Sequence, residues 1–162
     1  MLAAKTRDKA RHPDGHSNPA TDLDRTRGHA LREIAHPRCI ACSPHRKSGL
    51  RLDFRDAGEG RVRATFDCAK IFEGYPGYLH GGIISTVLDS AMTNCLFAQG
   101  HRAVTAELAV KYRAPVSLER AAVIEAHAAR DMYPLFIMEA SLAQDGQTKA
   151  TATAKFIVSQ GV

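Results

Sequence analysis

Apolar side chains recur along this chain on two different periods, and each change of period marks an element. Between Ile83 and Gln99 they fall at positions 83, 84, 87, 88, 91, 92, 95 and 96 and stop at Gly100, which is helical spacing closed by a C-terminal glycine. A helix of that length extends about 25 Å, enough to cross a small sheet. Elsewhere the period is two. Leu50 to Arg55 and Arg61 to Ala69 alternate on either side of Ala57-Gly58-Glu59-Gly60, predicting a hairpin. Further β-type runs follow at about Ala103 to Arg113, Ala121 to Asp131, Leu135 to Gln144 and Thr148 to Ser159, with turn residues such as Asp145-Gly146 between them. About six strands with one long helix after the second predict an α+β domain with an antiparallel sheet, not a parallel doubly wound one.

The first twenty residues mix charge, Gly, Pro and Asn without apolar periodicity, a composition that cannot bury enough surface to order itself. Thr21 or Asp22 then suits the cap of a short helix carrying Leu23, Ala30, Leu31 and Ile34, interrupted by Gly28 and closed by Pro37. The expected division is a basic, largely disordered leader over residues 1–37, with room for that helix, and a folded domain over residues 38–162. Charge is uneven as well. Residues 1–49 hold 10 basic and 5 acidic side chains, and the remainder hold 12 of each, so the net +5 belongs to the first 49 residues. A body balanced to zero lacks the electrostatic footprint of a nucleic-acid binder. No run of eighteen apolar residues suggests a membrane span, and the charged N-terminus does not read as a signal peptide, so the expected location is the cytosol. Four cysteines in that compartment are expected to be free thiols or, at most, one ligand pair.

Chemistry concentrates at the front of the long helix. Gly81 and Gly82 open it, so their N–H groups sit at the positive end of the helix dipole, suited to a carbonyl oxygen gaining negative charge. Asp89 lies two turns on, with Thr93 at i+4 and Thr86 and Ser90 beside it. Because Ile84, Val87, Leu88, Ala91 and Cys95 take the other side, this polar stripe is expected to face a cleft or a partner.

Tyr75-Pro76-Gly77-Tyr78-Leu79-His80-Gly81-Gly82-Ile83-Ile84, with Asp89 nine residues after His80, resembles the hotdog-fold acyl-CoA thioesterases of the phenylacetate-degradation type. Val104 to Val116 is similar to the strand that follows the helix in that family, and Cys39-x-x-Cys42 followed by Gly49-Leu50-Arg51-Leu52 resembles the first strand of one subgroup. The resemblance covers residues 39 to 158. It implies a hotdog fold, about six strands wrapped around one central helix, and a homodimer, with a dimer of dimers (tetramer) left open, in which each site joins the His-Gly-Gly turn of one chain to the helix acid of the other. Carried over, Gly82 N–H polarises the thioester carbonyl, His80 shapes the turn, and Asp89 is general base or nucleophile. Thr105 and Thr93 orient the water. Gly81, Gly74 and Tyr78 fall among the substrate-binding positions. The family commonly has Asn or Gln where this chain has Gly74.

Lys111 and Arg113 share one strand face with Thr105, Glu107 and Ala109, by strict alternation; they are candidates to bind coenzyme A phosphates, although either one taken singly fits a solvated surface slightly better. Ala106, Leu108, Val110 and Tyr112 are expected to form the buried face. His36, Cys39, Cys42 and His45 are spaced H-x2-C-x2-C-x2-H, which raises a zinc site, but a domain with its own core does not need one, so no metal and no cofactor is expected. Met132, Phe136, Met138 and Phe156 fit core or acyl-pocket wall. The function implied is hydrolysis of an acyl-CoA thioester to free acid and coenzyme A. The alternative is a hotdog protein that binds an acyl-CoA or small aromatic ligand without cleaving it, and a hydroxyacyl dehydratase ranks last.

Overall fold

Residues 28–159 are described by a computed structural model. Helix α1 runs through residues 28–35, and strand β1 (Arg55–Gly58) and strand β2 (Arg61–Asp67) follow. A short 3-10 turn, Lys70–Phe72, leads to helix α2 (Gly81–Ala98). Four strands complete the chain: β3 (Ala103–Tyr112), β4 (Ala121–Met132), β5 (Leu135–Gln144) and β6 (Gln147–Val158). They form one six-stranded sheet in the order β1-β2-β4-β5-β6-β3, every neighbouring pair antiparallel. The α+β expectation therefore holds. Of the expected leader, residues 1–27, with the Thr21 or Asp22 cap, fall outside the described residues, whereas residues 28–35 form helix α1.

Period-two burial places the core on one side of the sheet. Val62, Ala64 and Phe66 of β2, Ile124 and Ala126 of β4, and Phe136, Met138 and Leu142 of β5 all point inward. Large residues of β5 lie opposite small ones of β6, Met138 against Ala154 and Leu142 against Ala150, so α2 can approach the sheet closely. Phe136, Met138 and Phe156 are fully buried core residues, whereas Met132, at the end of β4, is 46% exposed.

Two expectations change. Leu50 to Phe54 keeps its alternation, with Leu52 and Phe54 buried, but joins no strand: Leu50 and Leu52 N–H donate instead to Ile40 and Ala41 carbonyls at 2.9 and 2.8 Å. Arg51, at φ 50°, breaks the extended run, so only Arg55–Gly58 pairs with β2. Nor is the second side of α2 free along its length. Every residue from Ser90 to Phe97 is buried, including Ser90, Thr93 and Asn94. The segment before β1 supplies the cover: Gly28 packs against the Ala98 backbone, and the His36 ring meets Phe97 edge-on at 4.9 Å. No helix of the described residues is long and apolar enough to cross a membrane.

Candidate active site

The front of α2 is built by the loop that leads into it. Gly77 turns with φ 82°, and its N–H donates to Glu73 Oε1 at 2.7 Å. Leu79 anchors the return by donating its N–H to Val116 O, and His80 N–H donates to Phe72 O, both at 2.9 Å. His80 is then the N-cap of α2. Its Nδ1 accepts the N–H of Gly82 at 2.9 Å, which fixes the ring proton on Nε2. A Cβ on Gly82 would lie 3.0 Å from His80 Nδ1 and Cε1, so a side chain here would crowd the capping ring.

This bond corrects the expected role of Gly82. Its amide is already engaged by His80, whereas Gly81 N–H meets no acceptor among the described residues. The donor open to a ligand is Gly81. Gly74 is explained by the same packing: a Cβ there would approach His80 Cα to 2.9 Å, so an Asn or Gln side chain has no room. The neighbouring Glu73 turns its carboxylate to the Gly77 N–H instead. Tyr78 is 45% exposed in the same loop, beside the still more exposed Tyr75.

Asp89 is half-buried on α2. Thr105 Oγ1 donates to Asp89 Oδ1 at 2.6 Å, joining β3 to the helix. Burial raises the Asp89 pKa above the ordinary carboxylate value, and the Cys39 charge adds to this; the Thr105 hydrogen bond and His36 oppose it. Thr93 donates to the Asp89 backbone carbonyl at 3.0 Å, so its hydroxyl can only accept from a water.

Thr105 reaches Asp89 through a β-bulge. Between Thr105 and Glu107 the pairing with β6 slips by one residue, so Thr105 lies opposite inward-facing Phe156 while Glu107 lies opposite outward-facing Lys155. The expectation that Thr105 shares a face with Glu107, Lys111 and Arg113 is therefore wrong: Ala106 occupies the bulge and reverses the phase. Lys111 and Arg113 line a cleft of about 340 Å³ on the outer side of the sheet with Thr151, Thr153 and Glu139. Within one chain they do not meet Gly81 or Asp89. The expected buried face of β3 is also incomplete, since Ala106 and Tyr112 are exposed and Leu108 and Val110 only half-buried.

Tyr112 is a site residue that alternation concealed. Its hydroxyl donates to Gly81 O at 3.0 Å and lies 2.6 Å from Ser85 Oγ, which itself donates to Gly81 O at 3.2 Å. These bonds hold the peptide next to the open Gly81 amide. Tyr112→Phe is expected to lower stability by about 1 kcal/mol, the worth of an ordinary hydrogen bond, and to reduce kcat several-fold with little change in KM. Denaturant melts and steady-state kinetics on the same preparation check both.

Of the H-x2-C-x2-C-x2-H residues, His36, Cys39 and Cys42 come together beside α2, and exposed His45 does not join them. Cys39 is the thiol that ionises first: hydrogen bonds from Cys42 and His36 pull its pKa far down, and Cys42 is pushed up by the same contact. Burial pushes Cys68 and Cys95 up to about 11 and about 12, leaving them as inert thiols.

Known proteins resemble part of this chain. A profile of the thioesterase superfamily matches residues 76–130, from the loop before His80 through most of β4. Over that stretch the chain is similar to the thioesterase superfamily. It is 31% identical over 106 residues to the acyl-coenzyme A thioesterase THEM4 of Rattus norvegicus, covering 64% of this chain and 46% of that protein. It thus spans about half the length of that relative. Among solved structures, the PaaI protein from the phenylacetic acid degradation operon of E. coli aligns with a TM-score of 0.72 at 16% identity, over 88% of this chain and 97% of that one. A Streptococcus mutans protein solved with acetyl-CoA aligns with a TM-score of 0.65 at 21% identity, over 74% and 97%. These likenesses show the hotdog fold expected from the sequence.

Proposed function

We propose that this chain hydrolyses an acyl-CoA thioester to a carboxylic acid and coenzyme A, and that it does so as a homodimer, with a dimer of dimers open to it. The observation that carries the reading is the open Gly81 amide at the front of α2, combined with a half-buried Asp89 held by Thr105 on the same helix. One helix separates these two groups by two turns, too far for one carbonyl. A second copy resolves this. β3 is an edge strand with Val104 41% and Tyr112 55% exposed, and pairing it with its equivalent would bring one chain's Asp89 towards the other's Gly81.

In that arrangement Gly81 N–H donates to the thioester oxygen. Asp89 takes a proton from water as the water oxygen adds to the carbonyl carbon, or the carboxylate adds directly and water then hydrolyses the resulting anhydride. The C–S bond breaks and the electron pair leaves on sulfur; the coenzyme A thiolate takes its proton from Asp89 in the first route, and in the second from the water that cleaves the anhydride and regenerates the Asp89 carboxylate. Tyr75 and Tyr78 offer aromatic surface to the acyl group. Lys111 and Arg113 face the outer cleft, so contact with coenzyme A phosphates requires the nucleotide to reach around the β3 edge. The setting is the cytosol.

A specific observation favours the alternative, a ligand-binding protein without turnover: the carboxamide that the family commonly places before the histidine is replaced by Gly74, and His80 fills its space. A panel of acyl-CoA esters with a thiol-reactive chromophore separates the readings. Thiol release with at least one ester is the expected result. Ligand-induced thermal stabilisation without thiol release across the panel supports binding alone.

A further inference from the structure

The proposed hydrolysis makes no use of the Cys-x-x-Cys segment, yet the fold brings that segment and a histidine to one point against α2. His36 Nδ1 lies 3.8 Å from Cys42 Sγ, and the donor atoms of His36, Cys39 and Cys42 all lie within 4.8 Å of one another. A tetrahedral zinc ion, with Zn–S of about 2.3 Å and Zn–N of about 2.0–2.1 Å, sets sulfur and nitrogen about 3.6 Å apart and two sulfurs about 3.8 Å apart. The three donors need close by no more than about an ångström to meet that geometry.

The segment is also pre-formed. Cys39 N–H donates to His36 O at 3.3 Å and Ser43 N–H to Cys39 O at 3.1 Å, and Ser43 Oγ closes the loop on Pro37 O at 2.8 Å. The Ala41 amide donates to Cys39 Sγ at 3.4 Å, the kind of backbone support a ligating thiolate receives. Phe97 of α2 fixes the plane of the His36 ring from the far side. Ala41, Cys42 and Ser43 are at most 3% exposed, so the site is shielded from bulk water on one side.

We infer that His36, Cys39 and Cys42 form a binding site for a borderline-soft divalent cation of the zinc class, which clips the 36–43 loop onto α2. Three protein ligands leave one position for water or a small anion. The competing use of a Cys-x-x-Cys pair is a reversible disulfide. The metal is preferred because the imidazole closes on both sulfurs, and a disulfide has no use for it. This inference stands apart from the hydrolase reading and survives its failure.

The test uses the full chain, reduced and stripped of metal, titrated anaerobically with Co(II) and then Zn(II). Expected are one equivalent of tetrahedral cobalt with thiolate-to-metal charge-transfer absorption, its displacement by zinc, and a rise in Tm on adding zinc. Cys39→Ser and Cys42→Ser should each weaken binding at least a hundredfold, and His45→Asn should leave it unchanged. If buried Cys42→Ser fails to fold, half-buried His36→Asn, which leaves both thiolates in place, should also weaken binding and change the cobalt spectrum. No charge-transfer absorption in the reduced protein would overturn the site, as would binding indifferent to Cys39→Ser. So would a Cys39–Cys42 disulfide in protein purified without reductant, joined to no metal uptake after reduction.

Discussion

Asp89→Asn is expected to lower kcat on an acyl-CoA ester by about 10²–10⁴-fold while raising the melting temperature at neutral pH. The two effects have one cause. Burial makes the carboxylate unfavourable in the folded chain, so its folded pKa lies above the unfolded value. A carboxylate shifted upward contributes stability that is complete below its unfolded pKa and is lost as pH rises through the folded one. At neutral pH the folded protein therefore carries the full penalty of a half-buried charge, and Asn removes it while its amide oxygen can still accept the Thr105 hydrogen. An acid that merely fastened β3 to α2 would behave otherwise: Asn would keep that bond, and turnover would be unchanged. Melting curves and initial rates on one preparation decide between them.

The same shift fixes the pH profile. The acid limb of kcat/KM should lie above the ordinary aspartate value of 3.8, because turnover needs the ionised form that burial disfavours. Thr105→Val deletes the hydrogen bond that opposes the shift, so the limb should move further up in pH, together with a lower maximum rate. A limb that stays in place in Thr105→Val would mean that the 2.6 Å contact does not govern the ionisation of Asp89.

Helix α2 and β5 were legible in the sequence because each keeps one period from end to end. The placement of Asp89 on that helix, behind the His-Gly-Gly turn, was legible from the same period. The face of Thr105 was not, for a definite reason: alternation carries a residue's side forward only while the pairing is regular, and one bulge at Ala106 reverses every assignment across it. That reversal misplaced Thr105 relative to Lys111 and Arg113. Nothing periodic announced that the segment before β1 would cover α2 from Ser90 onwards, since it uses loop hydrogen bonds and a ring contact. Gly74 looked like a lost functional group in the sequence, and only the 2.9 Å approach of His80 Cα shows why a side chain is excluded there. The choice between Gly81 and Gly82 turned on a side-chain rotamer, the His80 ring folded over the second amide.

Gly81→Pro should deliver a folded protein that turns over about 10²–10³-fold more slowly. Proline at the first position of a helix is well tolerated, because the N–H it lacks has no intrahelical partner there. The surroundings permit it. His80 already has φ −62° and ψ 134°, the extended backbone that a residue before proline requires. A Cβ on Gly81 meets the Tyr112 ring at 3.7 Å, an ordinary contact. Since Gly81 N–H serves no acceptor among the described residues, the substitution breaks no internal bond, and the melting temperature should be unchanged or slightly higher. What it removes is the donor aimed at the developing oxyanion, so the loss should fall on kcat. Gly82→Ala is the contrasting variant: its methyl crowds the His80 ring at 3.0 Å, and losing the cap that the ring makes should cost about 0.5–2 kcal/mol of stability. A Gly81→Pro protein with wild-type turnover would show that the oxygen is held elsewhere, and the Gly82 amide, released by rotation of His80, would become the donor to test.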